Sequence, residues 1–230
     1  MTQTNVLHHL GIILDGNRRF AKKLMLQPSK GHELGYEKIK KLFNWCKDLD
    51  IKELTLYTFS IENFNRPKKE FDYLMNLFKK AFKELLTEKE LKNIKIDFIG
   101  RIKLFPKEIQ ERIKELKEKT KNNKPYKVNF AMAYGGRAEI VDATKKIAQD
   151  FKDNKIKDIT EETFKNYLYL QSEPDLIIRT SERRLSGFLL WQSSYSEILF
   201  LPNKLWPEFE KQDLVTAVQD FNNRHRRFGK

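Results

Sequence analysis

Residues 8–20, HHLGIILDGNRRF, constrain the fold more than any other stretch of the chain. Residues 10–14 are an uncharged apolar run with β-branched members, the pattern of a strand buried on both faces. Strands of that kind belong to parallel sheets covered by helices on either side. The run stops abruptly at Asp15, Gly16, Asn17, Arg18 and Arg19. Gly16 and Asn17 tolerate positive φ, so the chain can double back and expose consecutive backbone N–H groups. A helix then starts at Phe20. A carboxylate, free amides and two guanidinium groups at the carboxyl end of a buried strand suit a phosphate, with Asp15 holding a divalent cation beside it. Taken alone, the same residues equally describe a surface β-turn with solvated arginines.

The rest of the chain repeats the alternation. Helical periodicity runs from Gly31-His32 to Leu49, after a loop at LMLQPSK. A strand over 52–60 ends in the polar, proline-closed loop 61–67, IENFNRP. Residues 70–86 form a helix whose apolar stripe (Phe71, Leu74, Met75, Phe78, Phe82, Leu85) is widened by Tyr73, Leu77 and Ala81. That is more apolar surface than one buried stripe requires. Either the helix packs between two neighbours, or part of the face lines an apolar cavity. A strand at 94–99, a helix at 107–121 and a strand at 127–133 follow. Next come a helix over 138–151, a short one after the N-cap Thr160, strands at 175–179 and 197–201, and a basic helix over 212–227. Strands alternating with helical crossovers predict an α/β fold, with a mostly parallel central sheet of about six strands flanked by helices. In such folds ligands bind at the carboxyl ends of the strands.

The totals limit the alternatives. A chain of 230 residues, 40% hydrophobic and 33% charged, is a globular domain of ordinary size with no linker or repeat. No apolar run approaches the roughly 18 residues that span a bilayer. The amino terminus lacks a basic segment followed by an apolar one, so no secretory signal is expected and a cytoplasmic location is the default. Cys46 is the only cysteine, which excludes intrachain disulfides and multi-cysteine zinc sites. The net charge of +13 admits nucleic acid, an anionic membrane surface or phosphorylated substrates as partners. Most lysines alternate with acids on helix faces. The arginines instead gather at 18–19, 179–184 and 224–227, and arginine is the residue suited to bidentate phosphate contacts. Nucleic-acid binding would need aromatics interleaved with the basic residues, and here they sit on predicted core faces.

Four strand ends carry polar clusters. Asp15, Asn17 and Arg19 close the first strand. Ser60, Glu62, Asn63 and Arg66 follow the second, and Arg137 the fourth. Arg179, Thr180, Ser181, Glu182, Arg184 and Ser186 follow the fifth, while Glu197 opens the sixth. Several guanidinium groups with hydroxyls and two carboxylates describe a polyanion site with a divalent metal. No GxxxxGK[ST], GxGxxG or GxSxG pattern is present.

HHLGIILDGNRRFAKK, SIENFNRP, NFAMAYGGRAEIVDA, DLIIRTSERRLSGFLLWQSSYSEILF and LWPEFEKQDLVTAVQDFNNRHRRFG resemble, in order and spacing, the cis-prenyltransferases. Within that family they are most like the bacterial undecaprenyl diphosphate synthases. The resemblance implies one catalytic domain over residues 1–230 with an apolar tunnel, acting as a homodimer with Mg²⁺. It implies condensation of farnesyl diphosphate with successive isopentenyl diphosphates, with cis stereochemistry, to undecaprenyl diphosphate, the lipid carrier precursor for cell-wall polysaccharide. A shorter product is the alternative. Peripheral contact with the inner face of the membrane fits a basic enzyme that makes a lipid.

By position, the resemblance makes Asp15 the essential aspartate on Mg²⁺ and isopentenyl diphosphate, with Glu197 as a second acid linked to the metal. Gly16, Asn17, Arg18, Arg19 and Phe20 match the loop that cradles the allylic diphosphate, and His32 the family's histidine after glycine. Ser60, Glu62, Asn63, Phe64 and Arg66 match a mobile loop over the site; Asn63 takes a catalytic role there and Phe64 replaces a common tryptophan. Arg179, Arg184 and Ser186 match the isopentenyl diphosphate clamp. Two departures stand out. The arginine usual before Gly31-His32 is absent, leaving Lys30 as a point charge, and RTSERR is one residue shorter than the family pattern around Glu182 and Arg183.

Overall fold

The computed structural model describes residues 6–87 and 92–224. Six strands, β1 (His9–Ile13), β2 (Glu53–Ser60), β3 (Ile94–Ile99), β4 (Tyr126–Tyr134), β5 (Leu176–Thr180) and β6 (Glu197–Leu201), form one sheet in the order β3-β4-β2-β1-β5-β6. Every neighbouring pair is parallel. Among the described residues seven α-helices connect or flank them: α1 (Asn17–Lys23), α2 (Pro28–Asp48), α3 (Lys68–Thr87), α4 (Lys107–Thr120), α5 (Gly136–Lys152), α6 (Glu161–Lys165) and α7 (Lys211–Asn223). No helix among the described residues is long and apolar enough to cross a membrane.

The period-two alternation of the strands sorts their side chains onto two faces. Leu10 and Ile12 of β1, with Leu54 and Leu56 of β2, join the larger core with Leu42 and Phe43 of α2 and Leu214 and Phe221 of α7. Ile13, Tyr57 and Ile177 point the other way, into a smaller core closed by Leu170, Phe188 and Leu189. β1 lies at the centre of the sheet, and the chain leaves it toward β2 on one side and returns to it with β5 on the other. That reversal of direction opens a crevice beyond the carboxyl ends of β1 and β5, where ligands bind in open α/β sheets.

The elements fall where the periodicity predicts them, with differences at three starts. Helix α2 begins at Pro28, not at Gly31, because proline's fixed φ suits the first helical position. Helix α1 begins at Asn17, directly after the turn. Residues 61–65, read from sequence as irregular loop, wind into a 3-10 helix capped where Asn63 Oδ1 accepts from Ser60 N at 3.1 Å. The predicted N-cap Thr160 holds: its hydroxyl accepts from Thr163 N. Helix α7 is described to Asn223, and residues 225–227 of the expected basic helix lie outside the described residues.

The wide apolar stripe of α3 is taken up by its neighbours. Phe78 meets Phe59 of β2 at 5.8 Å between ring centroids, and Phe82 meets Phe98 of β3 at 5.2 Å. Along one edge Tyr73 donates to Glu33 of α2 at 2.5 Å, and Lys79 pairs with Glu108 of α4 at 2.6 Å along the other. These contacts pack the helix between two neighbours, with Phe71, Tyr73, Leu77 and Phe78 left partly buried. Ala81 is buried within the larger core. Ala81→Leu is therefore expected to overpack it and lower stability by ~1–3 kcal/mol, measured as a drop in thermal midpoint; an unchanged midpoint would mean that free space adjoins Ala81.

Candidate active site

The crevice at the end of β1 holds a cavity of about 880 Å³, lined among others by Asp15, Asn17, Arg18, Arg19, His32 and Arg66. Local backbone geometry builds its floor. Gly16 has φ +111°, and a Cβ there would meet Leu205 at 3.0 Å, so the turn after β1 accepts only glycine without strain. Helix α1 starts directly behind it with no side chain capping its first N–H groups. A Cβ on Gly31 would come within 2.1 Å of Asn17 O. The glycine in α2 is thus what lets the α1 start lie against that helix. Trp206, fully buried, ties these parts together: its N donates to Asp15 O and its Nε1 to Gly35 O, both at 2.9 Å.

Asp15 and Arg179 meet across the two central strands. Arg179 is only 3% exposed, and its Nη2 donates to Asp15 Oδ2 at 2.8 Å. Its Nη1 donates to Ser186 Oγ at 2.7 Å and to the Arg184 carbonyl, while its Nε is buried without a partner. Thr180 Oγ1 donates to Asp15 O at 2.7 Å. A guanidinium held this way cannot swing out to solvent, so it presents a fixed positive charge beside the carboxylate. Arg19 lies on the other side of Asp15, with Nη2 at 3.3 Å from Oδ1. Ser181 and Ser186 adopt positive φ of 77° and 49°, which turns the loop after β5 back over the pair.

Two carboxylates gather the remaining cations. Glu182 accepts from Arg19 and from Arg184, each at 2.9 Å. Glu70, at the start of α3, accepts from His32 Nε2 at 3.1 Å and from Arg66 Nη1, with Arg18 Nε 3.8 Å away. Burial pushes the Glu70 carboxyl up, but hydrogen bonds from His32 and Arg66 and the charges of Arg66 and Arg18 hold it below the usual range overall. Burial lowers His32 as well, which leaves its ring neutral near pH 7.

Residues 15–19, 32, 66, 179, 184 and 186 are therefore brought to one crevice or its rim. Phe20 is half-buried and stands outside the cavity lining. Ser60 and Asn63 cap their own turn, Glu62 is exposed, and the Phe64 ring packs into an aromatic group with Phe59, Phe71 and Phe105. Glu197 does not join Asp15 within one chain. It is level with Leu176 and hence with Leu10, at the amino end of the sheet. Five residues and two strands separate it from Asp15, on the order of 20 Å. There it accepts from Arg224 Nη1 at 2.6 Å. Sequence reasoning missed Glu70 and Trp206. The spacing of Glu70 four residues after Arg66 was the available signal for the first; the second is set by tertiary contact alone.

A family profile described as putative undecaprenyl diphosphate synthase matches residues 13–229. A tritrans,polycis-undecaprenyl-diphosphate synthase (geranylgeranyl-diphosphate specific) of Methanocaldococcus jannaschii is 47% identical over 98% of this chain and 84% of its own length. The enzyme of the same description from Thermoplasma acidophilum is 45% identical over 96% of this chain and 88% of its own. Among solved structures, lavandulyl diphosphate synthase from Lavandula x intermedia, in complex with dimethylallyl diphosphate, superposes with a TM-score of 0.91 at 36% identity. It covers 98% of this chain and 99% of that one. A probable undecaprenyl diphosphate synthase from Campylobacter jejuni gives 0.83 at 34%, covering 98% and 100%. With the profile spanning nearly the whole chain and the fold shared throughout, the protein belongs to the cis-prenyltransferase family.

Proposed function

We propose that this protein elongates an allylic prenyl diphosphate with isopentenyl diphosphate units, in cis geometry, to an undecaprenyl-class product. The observation that carries this reading is the Asp15–Arg179 pair at the switch point of the sheet, in a cavity ringed by arginines. The relatives' description as geranylgeranyl-diphosphate specific favours that starter over the farnesyl diphosphate expected from sequence. A shorter product is the second reading. It is supported by the mutual packing of Phe59, Phe64, Phe71, Phe78 and Phe105, which leaves the apolar side of α3 in contact with other rings.

In each condensation the C1–O bond of the allylic diphosphate breaks with its electron pair on the leaving diphosphate, C4 of the isopentenyl alkene forms the new C–C bond, and C2 of that unit gives its proton to a diphosphate oxygen, which restores the double bond. Negative charge grows on the departing diphosphate. Arg18, Arg19 and the first N–H groups of α1 line the cavity beside Asp15 and would stabilise that charge. Arg179, with Ser186 and Arg184 on the same loop, holds the second diphosphate. Glu70 and Glu182 now neutralise cations that substrate phosphates would take over.

The donors present fit Mg²⁺. Asp15 is a partly exposed hard-oxygen ligand, and Mg²⁺ sites use one or two carboxylates with substrate phosphates and water. When bound, the ion supplies charge neutralisation of the diphosphate. Asp15 would hold it; Glu197 would take part only from a second copy of the chain, in the expected homodimer.

Three outcomes test this reading. Purified protein given geranylgeranyl or farnesyl diphosphate, labelled isopentenyl diphosphate and Mg²⁺ is expected to extend the geranylgeranyl starter by several units, seen by sizing the products. Absence of incorporation from either starter would refute it, and arrest after one addition would select the short-product reading. Asp15→Asn is expected to lower kcat by on the order of 10³ with the fold intact; retention of about a tenth of the rate, a loss under ~1.4 kcal/mol, would remove Asp15 from the reaction. Arg179→Lys should raise KM for isopentenyl diphosphate far more than for the allylic partner, since lysine lacks the planar fork. Equal effects on both would reassign the pocket.

A further inference from the structure

The large apolar side chains exposed on this protein mostly stand singly: Val6, Leu104, Val141, Phe151, Ile159 and Tyr195. Leu24, Met25 and Leu26 are consecutive, 47%, 95% and 42% exposed, at the tip of the turn between α1 and α2. The tip is held in place. Leu26 N donates to Ala21 O at 2.8 Å and Met25 N to Lys22 O at 3.0 Å, the paired bonds of a Schellman helix end. Met25 has φ 55° and occupies the left-handed position that glycine usually fills, so backbone strain accompanies the display of a long apolar side chain.

Charge surrounds the tip. Arg18, Arg19, Lys22 and Lys23 of α1 are all exposed, and Lys30 follows on α2. The acids facing them are Glu208, paired with Lys23 at 2.6 Å, Glu33, paired with Lys30 at 2.7 Å, Glu182 and Asp15 at Arg19, and Glu70 at Arg18. Arg66, Arg179 and Arg184 share the same acids, so cations remain in excess around the cavity, and Lys22 stands beside the apolar tip. Met25 and Leu26 also form the rim of the cavity that contains Asp15.

We propose that residues 24–26 are a membrane-docking tip. It seats in the headgroup boundary of a bilayer containing anionic phospholipid, with the α1 cations against the headgroups and the cavity mouth turned to the membrane. Apolar side chains flanked by lysine and arginine match that surface in both hydrophobicity and charge. Three side chains fall well short of the roughly 800 Å² per partner buried in a stable protein interface. The tip also lacks the aromatic residues on which nucleic-acid bases stack. The use of such docking rests on the proposed lipid product, but the docking itself is measurable without turnover, so its failure would leave the transferase reading standing.

The full chain should sediment with vesicles of phosphatidylcholine and phosphatidylglycerol, much less with phosphatidylcholine alone, and less at high salt. The triple variant Leu24→Ser, Met25→Ser, Leu26→Ser should bind the anionic vesicles about tenfold more weakly or worse, with an unchanged circular dichroism spectrum. Met25→Cys carrying an environment-sensitive fluorophore gives a second reading, since the native Cys46 thiol is buried. Its emission should shift to the blue on adding anionic vesicles. Equal sedimentation of wild type and triple variant, or an unshifted label on vesicle-bound protein, would overturn the proposal. So would failure of the wild type to sediment, or conversion of a dimer to a monomer by the triple variant without any vesicle binding, which would make the tip a contact between copies.

Discussion

The ion pair between Asp15 and Arg179 is the contact on which the rest of the site depends. Arg179 is the last residue of β5 paired with β1, level with Ile13, and Asp15 stands two residues beyond Ile13 at the end of the adjacent strand. Burying a guanidinium is costly unless its donors are met, and here Asp15, Ser186 and the Arg184 carbonyl meet most of them. The same bonds fix the loop after β5. They also hold Asp15, whose backbone carbonyl is anchored by Thr180 and Trp206. Floor and wall of the cavity are thus set by one charge pair and by the parallel register beneath it.

Around that pair the site is over-supplied with cations, and its own carboxylates are placed to answer them. Glu182 bridges Arg19 and Arg184, while Glu70 gathers His32 and Arg66. A diphosphate entering the crevice would exchange these contacts for its own oxygens. The arrangement also ties the end of the turn of residues 61–65 to the start of α3 through Arg66 and Glu70.

Much of this was legible in the sequence because it follows from local rules. The buried run ending in a glycine turn, the alternation of strand and helix, and the polar clusters at strand ends gave the parallel sheet and the crevice residues 15–19 and 179–186. Proline at the start of α2 was misread as loop because its preference for the first helical position competes with its role as a breaker. The partners of α3 were not legible, since an over-wide apolar stripe looks alike whether a neighbour or a cavity takes it up. Nor was the position of Glu197: sequence order puts it at the head of a strand, and only the register shows that this is the far end of the sheet from Asp15.

The central claim is that Asp15 and Arg179 act as a unit on bound diphosphate. A double-mutant cycle on kcat/KM for isopentenyl diphosphate, with Asp15→Asn, Arg179→Lys and the two combined, tests it most directly. Strong non-additivity is predicted, the double variant losing little more than the worse single one, with a coupling of ~1–3 kcal/mol as for residues in direct contact. Losses that simply add would show that the two side chains serve the reaction independently, and the account of the crevice built on their pairing would be contradicted.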